Sequence, residues 1–417
     1  MHRVLLFAFS AAFLSLQAQA ATVLVLQFHN NSQYSDLNWV GESVAEILMD
    51  EFGNANQIVI NRTSRANALK RLSLRPDAEF TKATLLKLGQ TIDADYICYG
   101  EYDVKLPAGV TELKDSSVQI SAHFLDLKKM HDGPSFAEAG KLTELSRLEE
   151  HLAWESIHYV DPHSTLPVEE FLKPGKLIRL DAEESYIRGL MSTNQDQQQK
   201  WFMQAALIEP HFTGPVFELG KLALDRKKYS EALRWFERIP ADDPDYLEAR
   251  FKLGISTYSM GDYGSAANYF REVAKTVPLG EVFNNLGASE YQLGQSAAAD
   301  DLHRALEGDP NDSTYLFNAA VIALKQNKWD EAAKRLHAVL ENRPNDTEAK
   351  ALLARAANRD PAPQMAATDT KTDAKADPKT DPKTAAKSLP PLRLKNTFNM
   401  TAFRQLKAVL QPKSGTE

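Results

Sequence analysis

FKLGISTYSMGDYGSAANYFREVAKTVP, residues 251–278, decides the fold. It opens on a large-small pair, Leu253-Gly254, breaks at Gly261-Asp262, and carries Ala266 and Phe270 toward a closing Pro278. The same marks return on both sides. Prolines stand at Pro210, Pro244, Pro278, Pro310 and Pro344, with gaps of 34, 34, 32 and 34 residues. Ala232, Ala266, Ala298 and Ala332 each lie twelve residues before a proline, and Phe236, Phe270, Leu302 and Leu336 eight before. A fixed period of this length marks stacked supersecondary units.

Each mark has a physical reason. A small residue on one helix facing a small residue on the next lets the two axes approach closely. The large residue four positions on shares its helix face and fills the core between units. The proline disfavours helix for the residue before it and stops the second helix. With these marks, Phe251 to Gly254, Gly261-Asp262-Tyr263, Ala266 and Pro278, and likewise Leu219-Gly220, Tyr229, Ala232, Phe236 and Pro244, the array resembles the tetratricopeptide repeat family over residues 180–360. The resemblance implies four good units and one weak first unit, an all-α solenoid, with residues 345–357 as a closing helix. It also implies a concave groove lined by the first helix of each unit: Phe217, Lys221, Phe251, Lys252, Ile255, Asn284, Asn285 and Asn318. A side-chain amide offers one donor and one acceptor edge, matching the backbone of an extended peptide. The alternative for the asparagines is a local structural role.

The amino terminus has the form of a secretory signal. His2-Arg3 is the positive start, residues 4–14 are apolar, and Ala18-Gln19-Ala20 is a small-residue cleavage site. The apolar run is too short for a membrane span. Residues 1–20 are therefore expected to be removed, leaving an exported, soluble protein, which the envelope-family resemblance given below would place in the periplasm; an uncleaved anchor is the alternative. The chain of 417 residues is long enough for more than one domain. Its net charge of −8 argues against a nucleic-acid binder. The single cysteine, Cys98, lies in an apolar run and reads as a core residue, with a nucleophile or an intermolecular bridge as alternatives.

Residues 21–160 predict an α/β domain with a mixed sheet. Residues 22–28 (TVLVLQF) form a nearly continuous apolar run, as for a strand covered on both faces. Helices are predicted at 38–52, 66–72 and 81–88, and strands at 57–60, 96–104 and 117–126. Phe28-x-Asn30, Trp39-Val-Gly41, Asn61-Arg62, Ala94-Asp95-Tyr96 and Ile120 to Asp126 together resemble the amino-terminal domain of the TolB family and the periplasmic part of curli-secretion lipoproteins. That resemblance implies a periplasmic module that contacts other envelope proteins. No β-propeller follows, and no lipidated cysteine begins the expected mature chain.

A helix at 146–159 is expected to close this domain, with Ser146 and Glu149 as a capping box. His151, Glu155 and His158 on one face have the spacing of a zinc site, and equally that of an exposed helix face. No resident metal or cofactor is otherwise implied. Residues 161–179 read as a linker. Residues 361–391, where Asp and Lys alternate with Pro and Thr, read as a disordered linker. Residues 392–417 are apolar again, with Phe403, Leu406, Val409 and Leu410 on one face of a short amphipathic helix. That end either docks on the chain's own repeats or recognises another protein. No catalytic motif is present. The chain reads as a non-enzymatic interaction scaffold with envelope proteins as partners. The alternative is a sensory module whose α/β domain recognises a small molecule or glycan.

Overall fold

The computed structural model describes residues 20–107, 112–173, 177–360 and 389–410, with side chains to 406. The expected signal, most of the acidic-basic linker and the side chains of Val409 and Leu410 lie outside the described residues.

The first strand, β1 (Thr22–Val25), is buried on both faces, as its unbroken apolar sequence requires. It pairs in parallel with β3 (Ile58–Val59) and β4 (Tyr96–Lys105). The run does not continue as one strand to Phe28. It leaves the sheet and returns as β2 (His29–Asn30), parallel to the outer half of β4. β5 (Ser117–Asp126) and β6 (His131–Lys141) complete the order β3-β1-β4-β5-β6 as antiparallel neighbours. β6 is not among the strands predicted above, and its sequence carries Gly133, Pro134 and Gly140. It is an edge strand, and a register shift between His123 and Leu125 sets Gly133-Pro134 opposite Phe124 alone. A bulge at an edge is where a residue without an N–H is tolerated.

Helices cover both faces. α1 (Trp39–Asn54) and α4 (Leu145–Val160) bury one side with Trp39, Val44, Phe52, Leu152 and Ile157. α2 (Arg62–Arg71) and α3 (Lys82–Thr91) bury the other with Leu69, Leu85 and Leu88 against Leu24, Leu26 and Ile97. Cys98 is fully buried, and burial pushes its thiol far above the ordinary range, so it is no nucleophile. The expected capping box is absent. α4 already begins at Leu145, Ser146 Oγ accepts the Ile178 N–H, and Glu149 is buried.

The expected linker packs on α4 through Leu166 and Phe171. Trp154 Nε1 donates to the Leu166 carbonyl at 3.0 Å, and Phe171 in α5 (Val168–Phe171) is buried in the α/β core. α6 (Leu180–Met191) joins the same core through Ile187, so the two halves share apolar packing. Then come five antiparallel helix pairs: α6 with α7 (Gln195–Ile208), α8 (Thr213–Asp225) with α9 (Tyr229–Phe236), α10 (Tyr246–Ser259) with α11 (Tyr263–Thr276), α12 (Gly280–Gln292) with α13 (Ala298–Gly308), and α14 (Ser313–Lys325) with α15 (Trp329–Asn342). α16 (Thr347–Ala357) closes the stack.

At Gly189, Gly220 and Gly254 the small first-helix residue stands against the large residue of the second helix, whereas at Gly287 the Ala298 carbonyl and Leu302 both lie 3.0 Å from where a Cβ would be. A Cβ at Gly220 would come 2.6 Å from the Phe236 ring, one at Gly254 2.7 Å from Phe270, and one at Gly189 2.5 Å from Phe202. The weak first unit therefore carries the same device. Each first helix from α8 to α14 ends at a residue with positive φ: Lys227, Gly261, Gly294 and Asn327. This left-handed stop satisfies orphan carbonyls, as where the Lys228 N–H donates to Ala223 at 2.8 Å. Residues 389–399 form no helix or strand, and α17 (Met400–Leu410) follows. No helix among the described residues is long and apolar enough to cross a membrane.

Candidate functional site: a groove that holds an extended segment

First helices line one face of the stack because their pattern leaves two sides to bury, one toward the pair and one toward the groove. Asn284 and Asn285 on α12 and Asn318 on α14 are all fully buried. Buried amides need partners, and these find them in residues 393–395. Asn318 Nδ2 donates to the Arg393 carbonyl at 2.7 Å, and the Arg393 N–H donates to Asn318 Oδ1 at 2.7 Å. Asn285 repeats the arrangement with Lys395, at 2.9 and 2.8 Å. Asn284 ties the two together, donating to the Arg393 carbonyl at 3.0 Å and accepting from Asn318 at 2.7 Å. Two residues apart on an extended chain point the same way, so amides one repeat apart grip alternate residues.

Lys252 donates to the Asn396 carbonyl at 2.9 Å. The Phe251 and Phe398 ring centroids are 5.4 Å apart, and Ile255 shares their cluster with Phe403. The structure places the remaining two groove candidates elsewhere. Phe217 is an edge-on partner of Phe236 inside its own helix pair, and Lys221 pairs with Glu218 at 2.7 Å.

Several contacting residues were missed from sequence. Arg393 makes a fork to Asp346 at 2.6 and 2.9 Å and reaches Glu348 at 2.7 Å, with its guanidinium carbon 3.3 Å from the Phe317 ring centroid. Lys395 reaches Asp312 at 2.7 Å and lies over Tyr315. Asp312 and Asp346 also cap α14 and α16, accepting backbone N–H groups there. The Arg393 hydrogen bond, against the opposing effect of burial, holds the Asp346 carboxyl at about 2. Asp312 is also lowered: burial works against ionisation, but Lys395 and the capped N–H groups outweigh it. The signal was there in Asn311-Asp312 and Asn345-Asp346, the same pair 34 residues apart.

Further along, Asn399 donates its N–H to Glu281 at 2.7 Å and caps α17 through its own side chain on Ala402. α17 reaches the junction with the α/β domain. There Arg404 enters a cleft of about 440 Å³ lined among others by Glu46, Asp50, Glu183, Asp243 and Asp245. Burial, and then Glu248, raise the Asp245 carboxyl to about 7. Ser43 Oγ donates to Glu183, and burial beside Glu183 raises Glu149 well above the carboxylate range.

The metal candidates divide. His151 Nδ1 is 2.6 Å from Glu138 on β6, and one ligand atom each from Glu138, His151 and Glu155 lies within 4.8 Å of the others. His158 is not among them: its Nδ1 meets the Trp154 carbonyl at 2.8 Å, one helical turn back.

Residues 251–313 and 296–356 match family models described as tetratricopeptide repeat, so residues 251–356 carry tetratricopeptide repeats. Sperm-associated antigen 1 of Rattus norvegicus is 30% identical over 117 residues, 27% of this chain and 13% of that protein. Its Mus musculus counterpart is 32% identical over 102 residues, 24% of this chain and 11% of that protein. The chain thus spans a small part of the curated relatives it matches. Among solved structures, YrrB, a TPR protein with an unusual peptide-binding site, aligns with 43% of this chain and 92% of its own at 16% identity and a TM-score of 0.35. A thermophilic TPR protein of Thermus thermophilus aligns with 42% of this chain and 99% of its own at 18% identity and a TM-score of 0.34.

Proposed function

We propose that the protein is an exported, non-enzymatic interaction scaffold of the bacterial cell envelope whose repeat groove binds extended segments of partner proteins. The observation that carries the reading is the paired amide grip of Asn285 and Asn318 on both backbone groups of Lys395 and Arg393. Such contacts are blind to side chains and suit any extended peptide, the mode by which main-chain bonds supply affinity and pockets supply specificity. The tetratricopeptide repeats over residues 251–356 support a role in protein–protein contact. The signal-like start and the TolB-like frame of the amino-terminal domain support export and an envelope setting. In this reading the chain's own residues 392–403 occupy the groove until a partner replaces them.

The test is cellular. A photo-crosslinking residue at Ile255 is introduced into the chain, cells are fractionated, and the mature amino terminus is determined by mass. The expected result is a chain beginning at Ala21 in the periplasmic fraction, with crosslinks to envelope proteins that disappear when Asn285 and Asn318 are replaced by alanine. A chain that keeps residue 1 and stays in the cytosol, or crosslinks indifferent to the two asparagines, overturns the reading.

A further inference from the structure

The segment that lies in the groove describes its own competitor. Its backbone contacts carry no sequence information, so the side-chain contacts must supply any selectivity. Arg393 is held on three sides: a bidentate fork to Asp346, a third bond to Glu348, and the Phe317 ring beneath its plane. A planar guanidinium fits this cage and a lysine ammonium does not. Two residues on, Lys395 meets Asp312 at 2.7 Å. Leu392 is buried among residues of α14 to α16, and Phe398 is buried against Phe251. Asn399 then starts a helix whose Arg404 enters the acidic junction cleft. Each of these three cations therefore meets carboxylates, in a chain whose net charge is −8.

We infer that the partner segment for this groove is a basic one with the same order: a leucine followed directly by arginine, a lysine two residues after the arginine, a phenylalanine three after the lysine, and then a capped helix bearing a further arginine. Residues 392–404 are its built-in competitor. The inference rests on the groove reading above and adds the chemical class of the ligand. Because the competitor is covalently attached, its docking is intramolecular and an outside segment must outcompete it. A partner gains access either by matching more of the pattern or when the tail is disarmed.

The experiment keeps the full chain. Two proteins are compared, the wild type and a chain carrying Arg393→Gln and Lys395→Gln. Each is titrated with a labelled synthetic peptide of residues 389–410, and with the same peptide carrying the two glutamines. Hydrogen exchange at residues 392–398 reports whether the chain's own tail is seated. The glutamine chain is expected to lose protection there and to bind the natural peptide at least tenfold more tightly than the wild type does. The glutamine peptide is expected to bind the glutamine chain at least tenfold more weakly than the natural peptide, with the difference shrinking in high salt. A peptide carrying Arg393→Lys is expected to fall between the two.

Equal binding of the natural and glutamine peptides overturns the basic-ligand inference while leaving the groove reading intact. Binding of neither peptide, together with an unprotected tail in the wild type, overturns both. Binding that survives Asn285→Ala with Asn318→Ala places the peptide outside the groove and also overturns the inference.

Discussion

Asn285 and Asn318 hold the backbone of the seated tail, because each satisfies two backbone groups that seating takes out of water. Replacing Asn285 by alanine leaves the N–H and carbonyl of Lys395 unpaired, whereas replacing Asn318 leaves the Arg393 N–H unpaired while Asn284 still donates to its carbonyl, at about 1–3 kcal/mol per unpaired group. The double variant is expected to lose exchange protection at residues 392–398 while its repeats melt as before, because the amides cap no helix. Unchanged protection would assign the asparagines to a local role instead. These residues were visible in the sequence because they fall one repeat apart on the groove side of a periodic helix. Asp346 and Glu348 were not, because a groove traced from the first helices of complete units stops at Asn318. Asp346 looks like an ordinary helix cap, and its second use appears only when Arg393 arrives from 47 residues away.

At the scale of elements, the repeat carries its own energetics. Gly254 is a site of close approach, with the Phe270 ring where a side chain would stand. Gly254→Ala is expected to destabilise by about 1–3 kcal/mol through overpacking, read as a lower denaturation midpoint with an unchanged slope. Lys227 poses the reverse case. It adopts φ 58° at a position where its neighbours in the array use Gly261 and Gly294. Relief of the left-handed strain makes Lys227→Gly stabilising by about 1 kcal/mol, checked in the same denaturation series. The helices were legible since period, small residues and prolines agreed. The edge strand β6 was not, since an edge bulge tolerates glycine and proline that a sequence pattern assigns to a turn. The start of α4 was misplaced for a related reason: Ser146 has the right spacing for a cap, yet its hydroxyl serves the Ile178 N–H and Glu149 is buried near Glu183.

For the whole molecule, the tail is a strap that joins both halves. Its extended part lies along α12 and α14, and α17 brings Arg404 beside Gly53 of α1 and into the cleft between the domains. That cleft concentrates carboxyls whose ionisation burial opposes, and Asp245 is the clearest. Glu248, Asp243 and Glu218 face it and raise its pKa further, while Arg404 alone among the named neighbours lowers it. The sign of the pH dependence follows from linkage. The unfolded chain releases this proton near 3.8, and the folded chain holds it until about 7. Over that interval the native state binds more protons, so its stability falls as pH rises from about 4 to 7 and then levels. Asp50 contributes in the same direction, because burial first and Glu46 next raise its pKa, again with Arg404 opposing. The melting temperature is therefore expected to be higher at pH 5 than at pH 8, and Asp245→Asn to reduce the difference. Arg404→Gln removes the opposing cation and is expected to steepen the decline. It should cost stability mainly above neutrality, where the cleft carboxyls ionise and the guanidinium matters most. A pH slope identical in wild type and Arg404→Gln would mean that α17 does not occupy the cleft in solution, and would separate the strap from the junction it spans here.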